Sequence, residues 1–201
     1  MPKKELFNGF FEAVKIFLTL DEQQFRYINA NLAKLEQLDN DFIHQVIYNA
    51  VKLKASVVMN DEKEHDFRMI LNFGHSVGHG LEKLSNYSLA HGIAVVLGML
   101  VESRVAFLVN ELSSNAFNEV SILLFKLIND LTPLNAFTPK TIIDAMRNDK
   151  KNQSGKIRMV LLNKIGVVKI INQHVVFEVN EAIIEQAIID VCQYSVSHNR
   201  N

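Results

Sequence analysis

Three of the seven histidines lie close together in the sequence, at His75, His79 and His91. His75 and His79 are four residues apart, so on a helix they share one face. Neutral imidazole is a common ligand of zinc-like ions, and a catalytic site of this kind often adds a carboxylate and leaves one position open. A single histidine would fit a hydrogen-bonded core residue better than a ligand, but three together make a metal site an equal alternative.

Small residues accompany these histidines, namely Gly74, Gly78 and Gly80. Each interior glycine costs a helix roughly 1 kcal/mol relative to alanine. Three of them in one short stretch indicate that something approaches this backbone closely. A divalent metal with a polar substrate is the simplest candidate.

A carboxylate that could complete such a site is Glu12, which lies in a mostly apolar stretch between Phe11 and Ala13. A buried glutamate carries a desolvation cost unless a metal or a cation pairs with it. Lys15 follows three residues later and lies on the same helix face. The alternative is an exposed salt bridge between Glu12 and Lys15 on an amphipathic helix, because exposure is the base expectation for charged residues.

Several cationic side chains could bind an anionic substrate. Arg68 and Asn72 are four residues apart and lead into the histidines, so they could share the approach to one pocket. Arginine binds carboxylate or phosphate through two parallel hydrogen bonds, and lysine binds them as a point charge. The other candidates are Lys54, Lys150, Lys151, Lys156 and Arg158, and solvated surface charge is the favoured interpretation for the last two. The loop at Asp149-Lys-Lys could clasp a phosphate or be only a turn. We interpret His44, His65, His174 and His198 as non-functional.

Composition limits the function classes. The chain has 201 residues, 48% of them hydrophobic, and a formal net charge of −1. It therefore lacks the excess positive charge that favours binding to nucleic acid or an anionic membrane. Its one cysteine, Cys192, excludes an internal disulfide and a thiolate metal cluster. The sequence shows no secretory signal pattern and no apolar run of the roughly 20 residues that a membrane span needs. A cytoplasmic location is therefore expected.

The elements that must position these residues are mostly helices. Apolar spacing and capping residues predict eight helices. The first four are predicted over 6–20, from Asp21 past Leu35, from Asp39 or Asn40 past Val57, and through the histidines to about Leu84. The other four are predicted over 92–109, over 114–131, from Pro139 onward, and over 180–196. Two β-branched segments, 157–162 and 167–171, flank Asn163–Gly166 and predict a hairpin. We expect a mainly α fold, with residues 1–201 forming a single helical bundle domain and a small β-hairpin near the C-terminus.

Five ordered motifs resemble one enzyme family. Leu71-Asn-Phe-Gly-His-Ser-Val-Gly-His79 and the following His91-Gly-Ile-Ala resemble the C-terminal domain of 3-dehydroquinate synthase. Asn8-Gly-Phe-Phe-Glu-Ala-Val-Lys15 resembles its N-G-x-x-E-x-x-K helix, and the run from Lys54 to Arg68 resembles its K-x-x-V-V-x-x-D-E-x-E-x-x-x-R pattern. The later Asp149-Lys-Lys and Ile165-Gly166 also agree, so the similarity covers nearly the whole chain.

The resemblance implies roles for particular residues. Glu12, His75 and His91 would bind a divalent metal, zinc or cobalt. The groups that hold substrate would be Lys15, Lys54, Arg68, Asn72, His79 and Lys150, and His79 and Lys15 would also act in catalysis. The family is a phosphate-eliminating lyase of the shikimate route to chorismate and the aromatic amino acids. Its members convert 3-deoxy-D-arabino-heptulosonate 7-phosphate to 3-dehydroquinate with NAD, which is reduced and reoxidised within one catalytic cycle. The resemblance also implies a homodimer.

Three departures from the family pattern bear on activity. The family's N-terminal NAD-binding domain is missing, since no G-x-G-x-x-G follows a predicted strand. We therefore expect a C-terminal fragment that binds NAD poorly and is inactive alone. Ile93 stands where the family usually has glutamate, which removes a charge beside a ligand, and Phe11 replaces an alanine, which could crowd the site. The alternatives are a related sugar-phosphate cyclase, a metal-dependent polyol dehydrogenase, or a non-catalytic association domain.

Overall fold

The computed structural model describes residues 2–63, 66–128, 130–147 and 156–198. His65, Lys150, Lys151 and the loop at Asp149-Lys-Lys lie outside these ranges. The helices are α1 Lys3–Leu20, α2 Glu22–Glu36, α3 Asn40–Asn60, a 3₁₀ helix Phe67–Asn72, α4 His75–Leu84, α5 His91–Leu108, α6 Ser114–Leu127, α7 Thr132–Asn135, α8 Pro139–Arg147 and α9 Glu181–His198. The mainly α fold class is therefore confirmed.

Side-chain caps explain where three of the helices begin. The Asp21 carboxylate accepts a hydrogen bond from the Gln24 N–H at 3.0 Å and starts α2. Asp39 accepts from the Phe42 N–H at 2.8 Å and starts α3, and the Thr138 hydroxyl accepts from the Thr141 N–H at 3.2 Å before α8. Each cap satisfies an amide that has no partner within the helix. These predicted starts are confirmed.

The predicted continuous helix through the histidines is wrong. The chain forms a 3₁₀ helix over Phe67–Asn72, and then Gly74 adopts a left-handed conformation with φ of 78°. A right-handed helix cannot continue through that backbone geometry, so α4 starts afresh at His75. The 114–131 helix is also shorter than predicted, because α6 ends at Leu127 and the separate short helix α7 follows.

The glycines of the histidine stretch make room for a helix rather than for substrate. A Cβ added at Gly98 of α5 would lie 1.9 Å from the Gly74 carbonyl oxygen, and one added at Gly78 would lie 3.1 Å from the Ala94 oxygen. A Cβ at Gly80 would instead meet Met146 of α8 at 3.2 Å. α4 and α5 therefore approach backbone to backbone, which only glycine permits. The sequence interpretation of these glycines as space for a substrate was wrong.

α5 runs through the middle of the fold. Thirteen of its residues are buried, among them Val95, Leu97 and Val101. By length and composition this helix could cross a membrane, but 72% of it is buried inside the fold, which fits a core helix. It contacts α1, α4, α6 and α9, so it fixes the relative positions of the helices that carry the candidate site residues.

The strands form two small antiparallel pairs near the C-terminus. The predicted hairpin is confirmed, since β2 Leu162–Lys164 pairs with β3 Val167–Val168. The single strand predicted over 157–162 is divided, because β1 Arg158–Val160 ends before Leu161 and pairs instead with β4 Val176–Glu178. The Gly166 N–H at the hairpin turn donates to the Leu18 carbonyl at 2.9 Å, which attaches the hairpin to α1.

Candidate metal centre

Three side chains that are far apart in the sequence converge at one point. Glu12 extends from α1, while His75 and His91 are the first residues of α4 and α5. One ligand atom from each lies within 4.8 Å of the other two. Glu12 Oε1 is 3.7 Å from His75 Nε2 and 3.6 Å from His91 Nε2. The break at Gly74 is what places His75 at a helix start and directs it toward α1.

Hydrogen bonds on the far side of each ring fix the histidine tautomers. His75 Nδ1 lies 3.1 Å from the Phe73 carbonyl oxygen, and His91 Nδ1 lies 3.1 Å from Glu82 Oε1. Both partners are acceptors, so in the neutral imidazole each Nδ1 carries the hydrogen and each Nε2 presents a lone pair. Two imidazole lone pairs and a carboxylate oxygen therefore face one another, an arrangement that a cation stabilises.

The two oxygens of Glu12 have different environments. Oε2 accepts a hydrogen bond from Lys15 Nζ at 2.8 Å, whereas Oε1 is buried without a hydrogen-bond partner. Two atoms bound to one zinc at about 2.1 Å lie within about 4.2 Å of each other, which accommodates both Glu12–histidine distances. A buried oxygen without a partner is costly. The residues present therefore fit a divalent ion of the zinc or cobalt type.

Burial and neighbouring charges tune the three groups. Burial opposes ionisation of Glu12, but His91 and the Lys15 ammonium outweigh it and lower the pKa of this carboxyl to about 2. Burial, assisted by the Lys15 charge, lowers the pKa of His75 to about 3, so its imidazole is neutral near pH 7. The neighbouring carboxylates of Glu12 and Glu82 raise the pKa of His91. An ionised carboxylate and a neutral imidazole are the forms that bind metal.

Lys15 is buried beside this group. Only 3% of Lys15 is exposed, and its ammonium contacts Glu12. The alternative of an exposed salt bridge on an amphipathic helix is therefore wrong. His79 follows one turn after His75, with its ring centroid 5.1 Å from that of His75 in an edge-on arrangement and 6.4 Å from that of His91. The structure thus brings five of the predicted site residues together.

The remaining predicted substrate residues have different surroundings. Lys54 is exposed near the end of α3 and lines, with Glu12, a groove of about 280 Å³ between α1 and α3. Arg68 and Asn72 lie on the 3₁₀ helix that leads to α4, where the Arg68 guanidinium donates to the Glu62 carbonyl at 3.2 Å. Lys150 lies outside the described residues. Lys156 is exposed and pairs with Glu178 at 2.9 Å, as expected of a surface charge.

The two departures near the ligands lie together in a different cavity. Ile93 and Phe11 both line a space of about 550 Å³ whose lining does not include the three metal-ligand candidates. Phe11 packs edge-on against Phe7, with 6.1 Å between ring centroids. Crowding of the site by Phe11 therefore stays a prediction, and Ile93 packs against the hydrophobic core.

Two carboxylates near the site were not predicted from the sequence. Glu82 hydrogen-bonds to His91, and its signal was available: it lies seven residues after His75, on the same helix face. Glu102 is completely buried on α5 and accepts hydrogen bonds from the start of α4. Its signal was a lone carboxylate in a long apolar run, the same pattern that drew attention to Glu12.

Comparison with known proteins identifies the family. The family model for the C-terminal domain of 3-dehydroquinate synthase matches residues 9–152. The chain belongs to the 3-dehydroquinate synthase family. The 3-dehydroquinate synthase of Alkaliphilus metalliredigens is 37% identical over 170 residues, which cover 84% of this chain and 48% of that protein. The enzyme of Thermodesulfovibrio yellowstonii is 35% identical over 173 residues, covering 85% and 48%. The chain thus spans about half the length of the curated relatives it matches.

Two solved structures of synthases share the fold. The 2-epi-5-epi-valiolone synthase of Streptomyces hygroscopicus, solved with NAD+ and Zn²⁺, superimposes with a TM-score of 0.80 at 23% identity, covering 96% of this chain and 53% of that one. A 2-deoxy-scyllo-inosose synthase, solved with carbaglucose-6-phosphate, NAD+ and Co²⁺, gives a TM-score of 0.73 at 22% identity, covering 94% and 52%. At these identities the likeness shows the fold.

Proposed function

We propose that this chain is the metal- and substrate-binding part of a 3-dehydroquinate synthase. The proposed reaction converts 3-deoxy-D-arabino-heptulosonate 7-phosphate to 3-dehydroquinate and phosphate, a carbon–oxygen lyase step of the shikimate pathway. Identities of 35–37% to enzymes of that name support it. The observation that carries the proposal is the convergence of Glu12, His75 and His91, with both histidine Nε2 atoms facing the unpartnered Glu12 oxygen.

Glu12, His75 and His91 are the proposed ligands of a zinc or cobalt ion. When bound, the ion supplies a Lewis acid that acidifies a substrate hydroxyl and polarises the carbonyl formed from it. Three protein ligands leave a position for substrate, as in catalytic zinc sites. The Phe73 carbonyl and Glu82 hold the rings in the tautomer that this role requires.

The neighbouring cations have proposed roles on the substrate. Lys15 pairs with the second oxygen of Glu12 and adds positive charge beside the proposed metal ligands. Lys54, Arg68 and Asn72 come from α3 and the 3₁₀ helix and would bind the substrate's carboxylate, hydroxyls and phosphate. Lys150 has the same proposed role. Together they would orient the substrate so that its own phosphate assists proton removal, which lowers the barrier by positioning.

His79 is the proposed proton relay. Its ring lies beside both histidine ligands, and an imidazole nitrogen can accept or donate a proton. It can therefore accept the proton of a substrate hydroxyl held at the site and return it later in the cycle. Hydride transfer to and from NAD requires a dinucleotide-binding partner domain, so we propose that this chain is inactive by itself. For the full-length enzyme we propose a cytoplasmic homodimer.

A related sugar-phosphate cyclase is the second candidate. The two solved synthases share the fold and were solved with NAD+ and Zn²⁺ or with carbaglucose-6-phosphate, NAD+ and Co²⁺, which motivates this candidate. Their identities of 22–23% are lower than the 35–37% of the 3-dehydroquinate synthases, which is why the latter function is preferred.

The experiment combines this chain with the separately expressed NAD-binding half of a curated relative, NAD+ and Co²⁺. Release of phosphate from 3-deoxy-D-arabino-heptulosonate 7-phosphate with formation of 3-dehydroquinate is the expected result. His79→Ala should abolish turnover and retain Co²⁺ binding. Phosphate release from another sugar phosphate, with none from 3-deoxy-D-arabino-heptulosonate 7-phosphate, would favour the second candidate and contradict the first.

A further inference from the structure

Glu102 is a carboxylate at the centre of the fold. It is fully buried on α5, with Leu100, Val101 and Val105 nearby on the same helix. A carboxylate in such a position is costly unless hydrogen bonds compensate for the lost water. Its partners therefore indicate why the chain places an acid here.

Three backbone amides donate to Glu102. Oε2 accepts from the Gly74 N–H at 2.8 Å, and Oε1 accepts from the N–H groups of Ser76 at 3.0 Å and Val77 at 3.3 Å. These amides belong to the first turn of α4 and to the residue before it. Gly74 occupies the position where a serine or aspartate usually caps a helix, and it has no side chain to do so. Glu102 supplies that cap from a different helix.

The capped turn is the one that carries a proposed metal ligand. His75 lies between Gly74 and Ser76, so the amides on both sides of it are held by one carboxylate. The His75 ring is held at Nδ1 by Phe73. With both backbone flanks and one ring nitrogen held, the direction of Nε2 toward Glu12 is fixed.

We propose that Glu102 is a positioning residue that clamps the first turn of α4 and thereby aims His75 Nε2 at the metal position. This inference rests on the proposed metal site. A purely structural cap would contribute stability and nothing else. In protein that remains folded, loss of a positioning residue changes the metal affinity and the ligand geometry, whereas loss of a purely structural cap leaves both unchanged.

The test compares Co²⁺ binding by the wild-type chain, Glu102→Gln and a matched control. Glutamine keeps the shape but directs an NH₂ group at amide donors. Asp21→Ala is the control, because it removes the cap of α2, which carries none of the site residues. For folded protein we expect Glu102→Gln to weaken Co²⁺ binding about 10- to 100-fold and to shift the visible absorption spectrum of bound Co²⁺. Asp21→Ala should lose stability with affinity and spectrum unchanged.

An unchanged affinity and spectrum in destabilised Glu102→Gln would overturn the positioning role and leave the metal site standing. If Glu102→Gln does not fold, Glu102→Asp gives the same comparison, since it keeps the carboxyl group but is one methylene shorter. His75→Ala distinguishes the two proposals, because equal Co²⁺ binding by His75→Ala and wild type would overturn the metal site, and the positioning role with it.

Discussion

Glu82 Oε1 lies 3.1 Å from His91 Nδ1, on the side of the ring opposite the Glu12 carboxylate. This carboxylate fixes the His91 tautomer and raises the basicity of Nε2. We expect Glu82→Ala to lower Co²⁺ affinity about 10- to 100-fold, as measured by titration followed by absorbance. Glu82→Gln should lose less Co²⁺ affinity, because its amide oxygen can still accept a hydrogen bond from His91 Nδ1. Glu178→Ala, which removes an exposed glutamate on β4, is the control, and an equal loss in both alanine variants would contradict the role of Glu82.

Removing a proposed ligand should have a larger effect. His75→Ala and Glu12→Ala are each expected to lower Zn²⁺ or Co²⁺ affinity by more than about 100-fold. This exceeds the loss of affinity expected when a residue that only hydrogen-bonds to a ligand, such as Glu82, is removed. Isothermal titration calorimetry measures this directly. His44→Ala serves as the control, because His44 is exposed on α3 and belongs to no part of the site. Wild-type affinity in His75→Ala would show that the three side chains are not the ligands.

Acid should destabilise the metal-free protein through His75. The folded-state pKa of His75 is about 3, against an ordinary value near 6.5 in the unfolded chain. At pH values between these two pKa values, His75 is protonated in the unfolded chain but neutral in the folded protein. The free energy of unfolding should therefore fall as the pH is lowered from about 6.5 toward 3, by at most about 1.4 kcal/mol per pH unit from this group.

Urea denaturation of wild type and His75→Gln over this pH range isolates the effect. Glutamine does not titrate, so the variant should show a shallower decline. The raised pKa of His91 acts in the opposite direction, but His91 is present in both proteins. Parallel curves for the two proteins would mean that His75 is protonated equally in the folded and unfolded states.

The close approach of α4 and α5 predicts opposite outcomes for two glycine substitutions. Gly98→Ala places a Cβ 1.9 Å from the Gly74 oxygen and should destabilise by about 1–3 kcal/mol or more. Gly9→Ala meets nothing within 4 Å inside helix α1 and should stabilise by up to about 1 kcal/mol. Thermal unfolding followed by circular dichroism compares them. Similar melting temperatures for the two variants would contradict the backbone contact.

Local signals predicted much of this structure. Asp21, Asp39 and Thr138 mark helix starts because a cap acts on amides only three residues away. The hairpin was predicted for the same reason, since its strands and turn are consecutive. The grouping of Glu12 with the histidines came from the family resemblance. The periodicity of apolar residues cannot show that α1 contacts α4 and α5.

The errors concern interactions between distant residues. The break at Gly74 depends on α5, because Gly98 and Glu102 contact residues that precede them by more than twenty positions. A glycine within a helical pattern is compatible with a helix interior or a helix start, so the sequence alone could not decide. β4 was missed because its partner, β1, lies across an intervening hairpin.

The backbone contact between α4 and α5 also has a dynamic consequence. At Gly74, Gly78 and Gly98 the backbones of the two helices are in direct contact, so a change of side-chain rotamer cannot open the interface at these points. We therefore expect His75 and His91, the first residues of the two helices, to move as parts of one rigid body. Any opening or closing of the site on a microsecond-to-millisecond timescale must come from elements outside this pair, such as α1 with Glu12 or the 3₁₀ helix with Arg68.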